Sequence, residues 1–198
     1  MVQSIRGALS LERPNRQARQ LEYLTLRIFV MIIVSNIWTT DEAIQAYSAR
    51  HLISLNDPSS LVKAPPGIDD QSHLDLHFYD VVGATCGVIS PSLEHIAEIV
   101  SFGKGHIENG YPVLIRCTAG VSRSTAAALV LAASFKTMDL GQLVQLLRDR
   151  APYSRPNSLM ISLGDELLSL GGALVTAVQN MGPPDNAGIP KPFVLNVV

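Results

Sequence analysis

Residues 113 to 135 constrain the chain most. Val113, Leu114 and Ile115 form a short apolar, β-prone run that ends at Cys117. A loop containing a single glycine, Gly120, follows, and a helix of small residues is expected over Ser122 to Phe135. A strand, a tight loop and a helix in that order suit a sheet of largely parallel strands, because such strands are joined by helical crossovers. The loop then lies at the carboxyl end of its strand, where open α/β sheets bind ligands.

The rest of the chain repeats the alternation. Phe29 to Val34 reads as a strand, and Thr39 or Thr40 can cap a helix through Glu42, Ala43, Ile44 and Tyr47, with Asp41 and Glu42 acidic in its first turn. His51 to Leu55 is a second short strand, closed by the turn residues Asn56, Asp57 and Pro58. Ser59 to Ser72, with its prolines and glycine, reads as a loop. Leu74, Leu76 and Phe78 alternate with Asp75, His77 and Tyr79, the period of a half-buried strand. Ser90 and Pro91 open a helix through Leu93, Ile96, Ile99 and Val100, and further helices are expected over Leu140 to Arg148 and Ser158 to Leu170. The expected fold is a single α/β domain over 31–180, with a central mostly parallel sheet flanked by helices and a phosphate-binding loop between a strand and a helix. The Pro- and Gly-rich tail, 181–198, is expected to be irregular.

Residues 1–30 are read as an arm outside the domain. They carry five arginines against two acids, a pattern that suits a transit segment, a disordered arm, or a start placed upstream of a true initiator at Met31. The most apolar run, Ile28 to Val34, has seven residues, far short of the about 20 that cross a bilayer, so no membrane association is expected. A net charge of −2 gives no footing for nucleic acid. Two cysteines in 198 residues cannot build a disulfide framework, which points to a reducing, cytoplasmic setting. His51, His73, His77, His95 and His106 show no ligand spacing, so no metal site is expected.

The chemistry is concentrated in the run Val-Leu-Ile-Arg-Cys-Thr-Ala-Gly-Val-Ser-Arg-Ser, residues 113 to 124. A loop that leads into a helix N-terminus aims several backbone N–H groups at one point and favours an anion. Thr118, Ala119, Gly120, Val121 and Ser122 would form that loop, with Gly120 allowing the close turn. Arg123 adds a planar donor matched to phosphate. Surroundings of this kind favour thiolate over thiol, which makes Cys117 the candidate nucleophile. The Ser124 hydroxyl can hydrogen-bond the sulfur and stabilise it as a leaving group.

Cys-x5-Arg-Ser on a strand, loop and helix resembles the signature loop of the protein tyrosine phosphatase superfamily, and its late position is similar to the dual-specificity branch. Asp80 falls where that family places its general acid. Pro156-Asn157 with Leu159 and Leu163 is similar to a segment that packs beside the loop, and Lys191-Pro192-Phe193 looks like a group of small bacterial members. The resemblance implies a phosphocysteine intermediate, no cofactor, a phosphorylated protein or small phosphomonoester as substrate, and a supporting role for Asn157 in positioning water. Three features depart from the family. Arg116 stands where the family has His, an exchange expected to keep a positive charge near the thiolate. Asp80 lacks the Trp-Pro-Asp context. The loop residues carry no lysine, unlike relatives that act on inositol phosphates.

Asp69, Asp70 and Asp75 are alternative acids on the residues alone. Cys86 is expected to be a small buried residue, with a reversible Cys86–Cys117 disulfide as the oxidised alternative. Two other functional classes fit the same loop. One is a phosphate-binding adaptor that turns over poorly, and the other a thiol enzyme such as an arsenate reductase or sulfurtransferase.

Overall fold

The computed structural model describes residues 30–83, 86–185 and 188–197. The arm expected over residues 1–30 lies outside them except for Val30. Five strands form one sheet in the order β3-β2-β4-β1-β5: β1 (Val30–Asn36), β2 (His51–Asn56), β3 (His73–His77), β4 (Val113–Cys117) and β5 (Phe193–Val197). The first four run parallel and β5 is antiparallel to β1. Helix α1 (Thr40–Tyr47) follows β1. Helices α2 (Leu93–Glu108), α3 (Arg123–Ala133), α4 (Leu140–Arg150), α5 (Ser158–Leu167) and α6 (Ala173–Gln179) complete the described elements, with a short 3-10 turn over Asp70–Ser72.

Period two divides the buried strands between two faces. Val30, Ile32 and Val34 of β1 and Val113, Ile115 and Cys117 of β4 point into the larger core with α2 to α6. Ile33 and Leu114 point the other way, into a smaller cluster with Ala43 and Ala49 around α1 and Ile68 from the loop before β3. A strand packed on both faces reads as continuously apolar, as β1 does.

Helix α3 is buried along its whole length, and its small residues are the reason. Gly103 of α2 and Gly164 of α5 let those helices close on it. A Cβ at Gly103 would stand 2.4 Å from Leu131 Cδ2, and one at Gly164 2.3 Å from Val130 Cγ2. Close packing on both flanks at Val130 and Leu131 fixes the C-terminal half of α3 between α2 and α5.

The sequence expectation of an irregular tail is corrected at residues 193–197. They form β5, paired with β1 from Val30↔Val197 to Val34↔Phe193, so the fold extends past residue 180. The alternating pattern Phe193, Leu195, Val197 is short and follows a Pro-rich stretch, which hid it. Helix α6 was not expected either. Its N-terminus is held by buried Asp165, which accepts from the N–H groups of Gly172, Leu174 and Val175. Cys86 is exposed in the β3–α2 connection rather than buried. No helix of the described residues is long and apolar enough to cross a membrane.

Candidate active site

The carboxyl ends of β1, β2 and β4 lie side by side: Asn36 and Leu55 both pair with Cys117. Cys117, Arg123 and Ser124 are all nearly enclosed, at 2%, 3% and 0% exposure. The Cys117 sulfur is 3.2 Å from Ser124 Oγ and accepts from the Gly120 N–H at 3.3 Å. That N–H turns inward because Gly120 adopts φ +71°, and a Cβ there would approach the Ser35 carbonyl to 3.1 Å. The side chain of Ser122, at the N-cap of α3, accepts no bond from the first-turn N–H groups, so the helix start remains open toward the loop.

The orientation of Arg123 is set from one edge. Its Nη1 donates to Asp57 Oδ1 at 2.9 Å and to the Phe78 carbonyl at 2.8 Å. Nη2 reaches Thr118 Oγ1 at 3.2 Å, and the buried Nε has no partner among the described residues. The guanidinium is therefore anchored through Nη1, with the Nε–Nη2 edge left for a bidentate anion. Asp57, read from the sequence as a turn residue, is the group that reading missed. Its position just past the carboxyl end of β2 was the available signal.

A second segment clamps the loop. The Arg155 N–H donates to the Val121 carbonyl at 2.9 Å and the Asn157 N–H to that of Ser122 at 3.3 Å. Thr125 Oγ1 donates to the same two carbonyls. The Asn157 side chain is buried and makes three bonds. Its Oδ1 accepts from the Met160 N–H as the cap of α5, while its Nδ2 donates to Asp80 Oδ1 at 2.7 Å and to the Val81 carbonyl at 3.1 Å. Ser122 Oγ also donates to Asp80 Oδ1, at 2.8 Å. Two elements thus hold an exposed carboxylate over the loop, and both bonds fall on one oxygen.

The other acids lie elsewhere. Asp69 and Asp70 stand at the start of β3, at the opposite end of the sheet from Cys117. There Asp69 accepts from the Ser72 N–H. Asp75 sits within β3, bonded to Asn56 Nδ2 and paired with His77.

Arg116 corrects a sequence expectation. Adjacent residues of a strand face opposite sides, so its guanidinium leaves the sheet on the α1 side, away from the sulfur. It donates to Ser54 Oγ and to the Lys63 carbonyl, both at 2.9 Å, and Ser54 Oγ also lies 2.8 Å from His73 Nε2. Burial lowers the guanidinium's pKa from its ordinary value, with Asp75 and Asp41 opposing. The residue ties β4 and β2 to the loop after β2. Cys86 and Cys117 are both free thiols, and no group of three metal-binding side chains occurs among the described residues.

No protein-family model and no curated protein matches the sequence. Solved structures do match. The chain is similar to the Cydia pomonella PTP-2 phosphatase at 22% identity and TM-score 0.55, covering 71% of this chain and 87% of that one. It is similar to the human tyrosine phosphatase-like serine/threonine/tyrosine-interacting protein at 16% identity and TM-score 0.56, covering 71% and 92%. It is also similar to PTPMT1, solved in complex with PI(5)P, at 15% identity and TM-score 0.56, covering 73% and 94%.

Proposed function

We propose that this chain, which has the fold of the dual-specificity and tyrosine phosphatases, is a phosphomonoester hydrolase working through a phosphocysteine, with a phosphorylated protein as substrate. One observation carries the reading. A nearly enclosed cysteine accepts a loop N–H and faces a serine hydroxyl, while an anchored arginine leaves a two-donor edge for an anion beside it.

In this reading the Cys117 thiolate attacks phosphorus, with the three equatorial oxygens held by the loop N–H groups and the Nε–Nη2 edge of Arg123. As the P–O bond to the leaving group breaks, Asp80 passes its proton to the departing oxygen. Water then attacks the phosphocysteine and gives a proton to Asp80, and the P–S bond breaks to release inorganic phosphate. Ser124 Oγ, 3.2 Å from the sulfur, stabilises the regenerated thiolate. Arg123 and the loop amides act throughout, so positioning and charge supply most of the acceleration.

The test is hydrolysis of an aryl phosphate at mildly acidic pH. Activity is expected to be unaffected by EDTA, inhibited by vanadate, and abolished by Cys117→Ser or Arg123→Ala. Loss on chelation with recovery on adding a divalent metal would overturn the thiol mechanism. Vanadate binding without hydrolysis would select the adaptor reading, for which the human tyrosine phosphatase-like interacting protein offers a parallel.

A further inference from the structure

The four most exposed large apolar side chains among the described residues are Leu61 at 93%, Ile189 at 84%, Trp38 at 74% and Val82 at 68%. They come from four different connections, and hydrogen bonds tie each connection to the candidate active site. The Trp38 N–H donates to Asn36 Oδ1, and its neighbour Ile37 donates to the Thr118 carbonyl. Ile189 precedes Pro190, whose carbonyl accepts from Asn36 Nδ2. Leu61 follows Asp57, which holds Arg123, in the connection after β2. Val82 follows Asp80 and Val81, both bonded to Asn157. Single exposed apolar residues are ordinary, but these four stand on separate loops that are each hydrogen-bonded into one site, and in that sense make an apolar collar.

The collar's charge decides what it fits. The four connections carry Lys63 and Lys191 against Asp57, Asp69, Asp70, Asp80 and Asp185, with no positive surplus. Anionic bilayers are held by clusters of four or more basic residues, whereas these connections carry two. Residues 118 to 122 are uncharged, so a second phosphate on the same substrate meets no cation in the loop. We propose, resting on the hydrolase reading above, that the collar selects phosphopeptides whose residues flanking the phosphorylated side chain are apolar. The phosphate enters the loop, and the flanking side chains pack on Trp38, Leu61, Val82 and Ile189.

The experiment compares phosphotyrosyl peptides of one length flanked by Leu and Val, by Gly and Ser, or by Asp and Glu, together with phosphatidylinositol phosphate in anionic vesicles. For the wild-type chain, kcat/KM is expected to be at least about tenfold higher for the Leu/Val peptide than for the Gly/Ser one, the scale of partly burying two apolar side chains. The double variant Leu61→Ser, Ile189→Ser is expected to bring that ratio within about twofold, and its exposed positions spare the core. Trp38 is the only tryptophan, so its fluorescence in a Cys117→Ser background reports binding of the same peptides directly. Equal kcat/KM across the peptides while nitrophenyl phosphate is hydrolysed would overturn the collar and leave the hydrolase standing. Faster turnover of the vesicle lipid, or an unchanged ratio in the double variant, would overturn it as well. No hydrolysis of any substrate would sink the hydrolase reading alone, because the Trp38 titration still ranks the peptides. Equal affinities there would sink the collar.

Discussion

Replacing Asn157 tests whether the carboxylate over the loop is placed by design of the fold. The side chain does two separable things: it caps α5 through Met160, and it holds Asp80 and Val81. In Asn157→Ala the lost cap costs about 1 kcal/mol. The two bonds to the partly solvated β3–α2 connection cost about 0.5–1 kcal/mol each. The total of about 2–3 kcal/mol corresponds to a fall in Tm of about 5–10 °C for a chain of this size. Asn157→Ser restores a hydroxyl cap but cannot span to Asp80, so it is expected to recover about 1 kcal/mol and none of the positioning. Both variants therefore share one catalytic signature. A misplaced acid matters in proportion to the basicity of the leaving group, so phenyl phosphate should slow about 10- to 100-fold and nitrophenyl phosphate about twofold. The assay is kcat/KM on both esters beside a thermal melt. If Asn157→Ser melts between the other two proteins yet keeps the wild-type ratio of phenyl to nitrophenyl rates, Asn157 is a structural cap and nothing more.

Two further outcomes are expected. Asp80→Asn should lower turnover of phenyl or tyrosyl phosphate by about 10²–10⁴-fold while sparing nitrophenyl phosphate, and Asp75→Asn and Asp70→Asn should change neither. The same leaving-group dependence in Asp70→Asn would refute Asp80 as the acid. Stability should also fall on acidification, through His51 and His106, which stack with ring centroids 3.7 Å apart. Burial lowers both pKa values, His106 lowers that of His51 further, and Asp69 opposes. Their contribution is present above the unfolded value of about 6.5 and is lost as pH falls through the folded values. His106→Phe should flatten part of the decline in Tm between pH 7.5 and 5, leaving the parts due to His51 and His73, both of which burial lowers. An unchanged slope in that variant would refute the assignment.

Much of this arrangement was legible before any coordinates. Period two gave β3, and unbroken apolar runs gave β1 and β4, because strands covered on both faces need no polar alternation. Cys117, Gly120 and Arg123 stood out because an anion loop demands those residue types at close spacing. What stayed hidden depends on contacts distant in sequence. Asp57 meets Arg123 across 66 residues, and Asn157 meets Asp80 across 77, with no local pattern to announce either. The direction of Arg116 was readable from strand alternation, and it is proximity along the chain that suggested a charge beside the sulfur. Strand β5 escaped because five residues beside prolines carry too little periodicity to separate from a loop.

That last strand bears on how the molecule folds. Strand β1 contains some of the first described residues and β5 some of the last, and Val30 meets Val197. The ladder closes a loop of nearly the whole described chain, the kind of non-local pairing that forms late and slows folding. During synthesis β1 can pair with β4 well before residues 193 to 197 have emerged. Until they do, the edge of β1 that pairs with β5 is uncovered along Val30 to Val34, a segment whose Val30, Ile32, Ile33 and Val34 are fully buried in the finished protein. An apolar, uncovered edge is a template for pairing with another chain. The interval before β5 docks is therefore when a nascent molecule is most open to association with its neighbours.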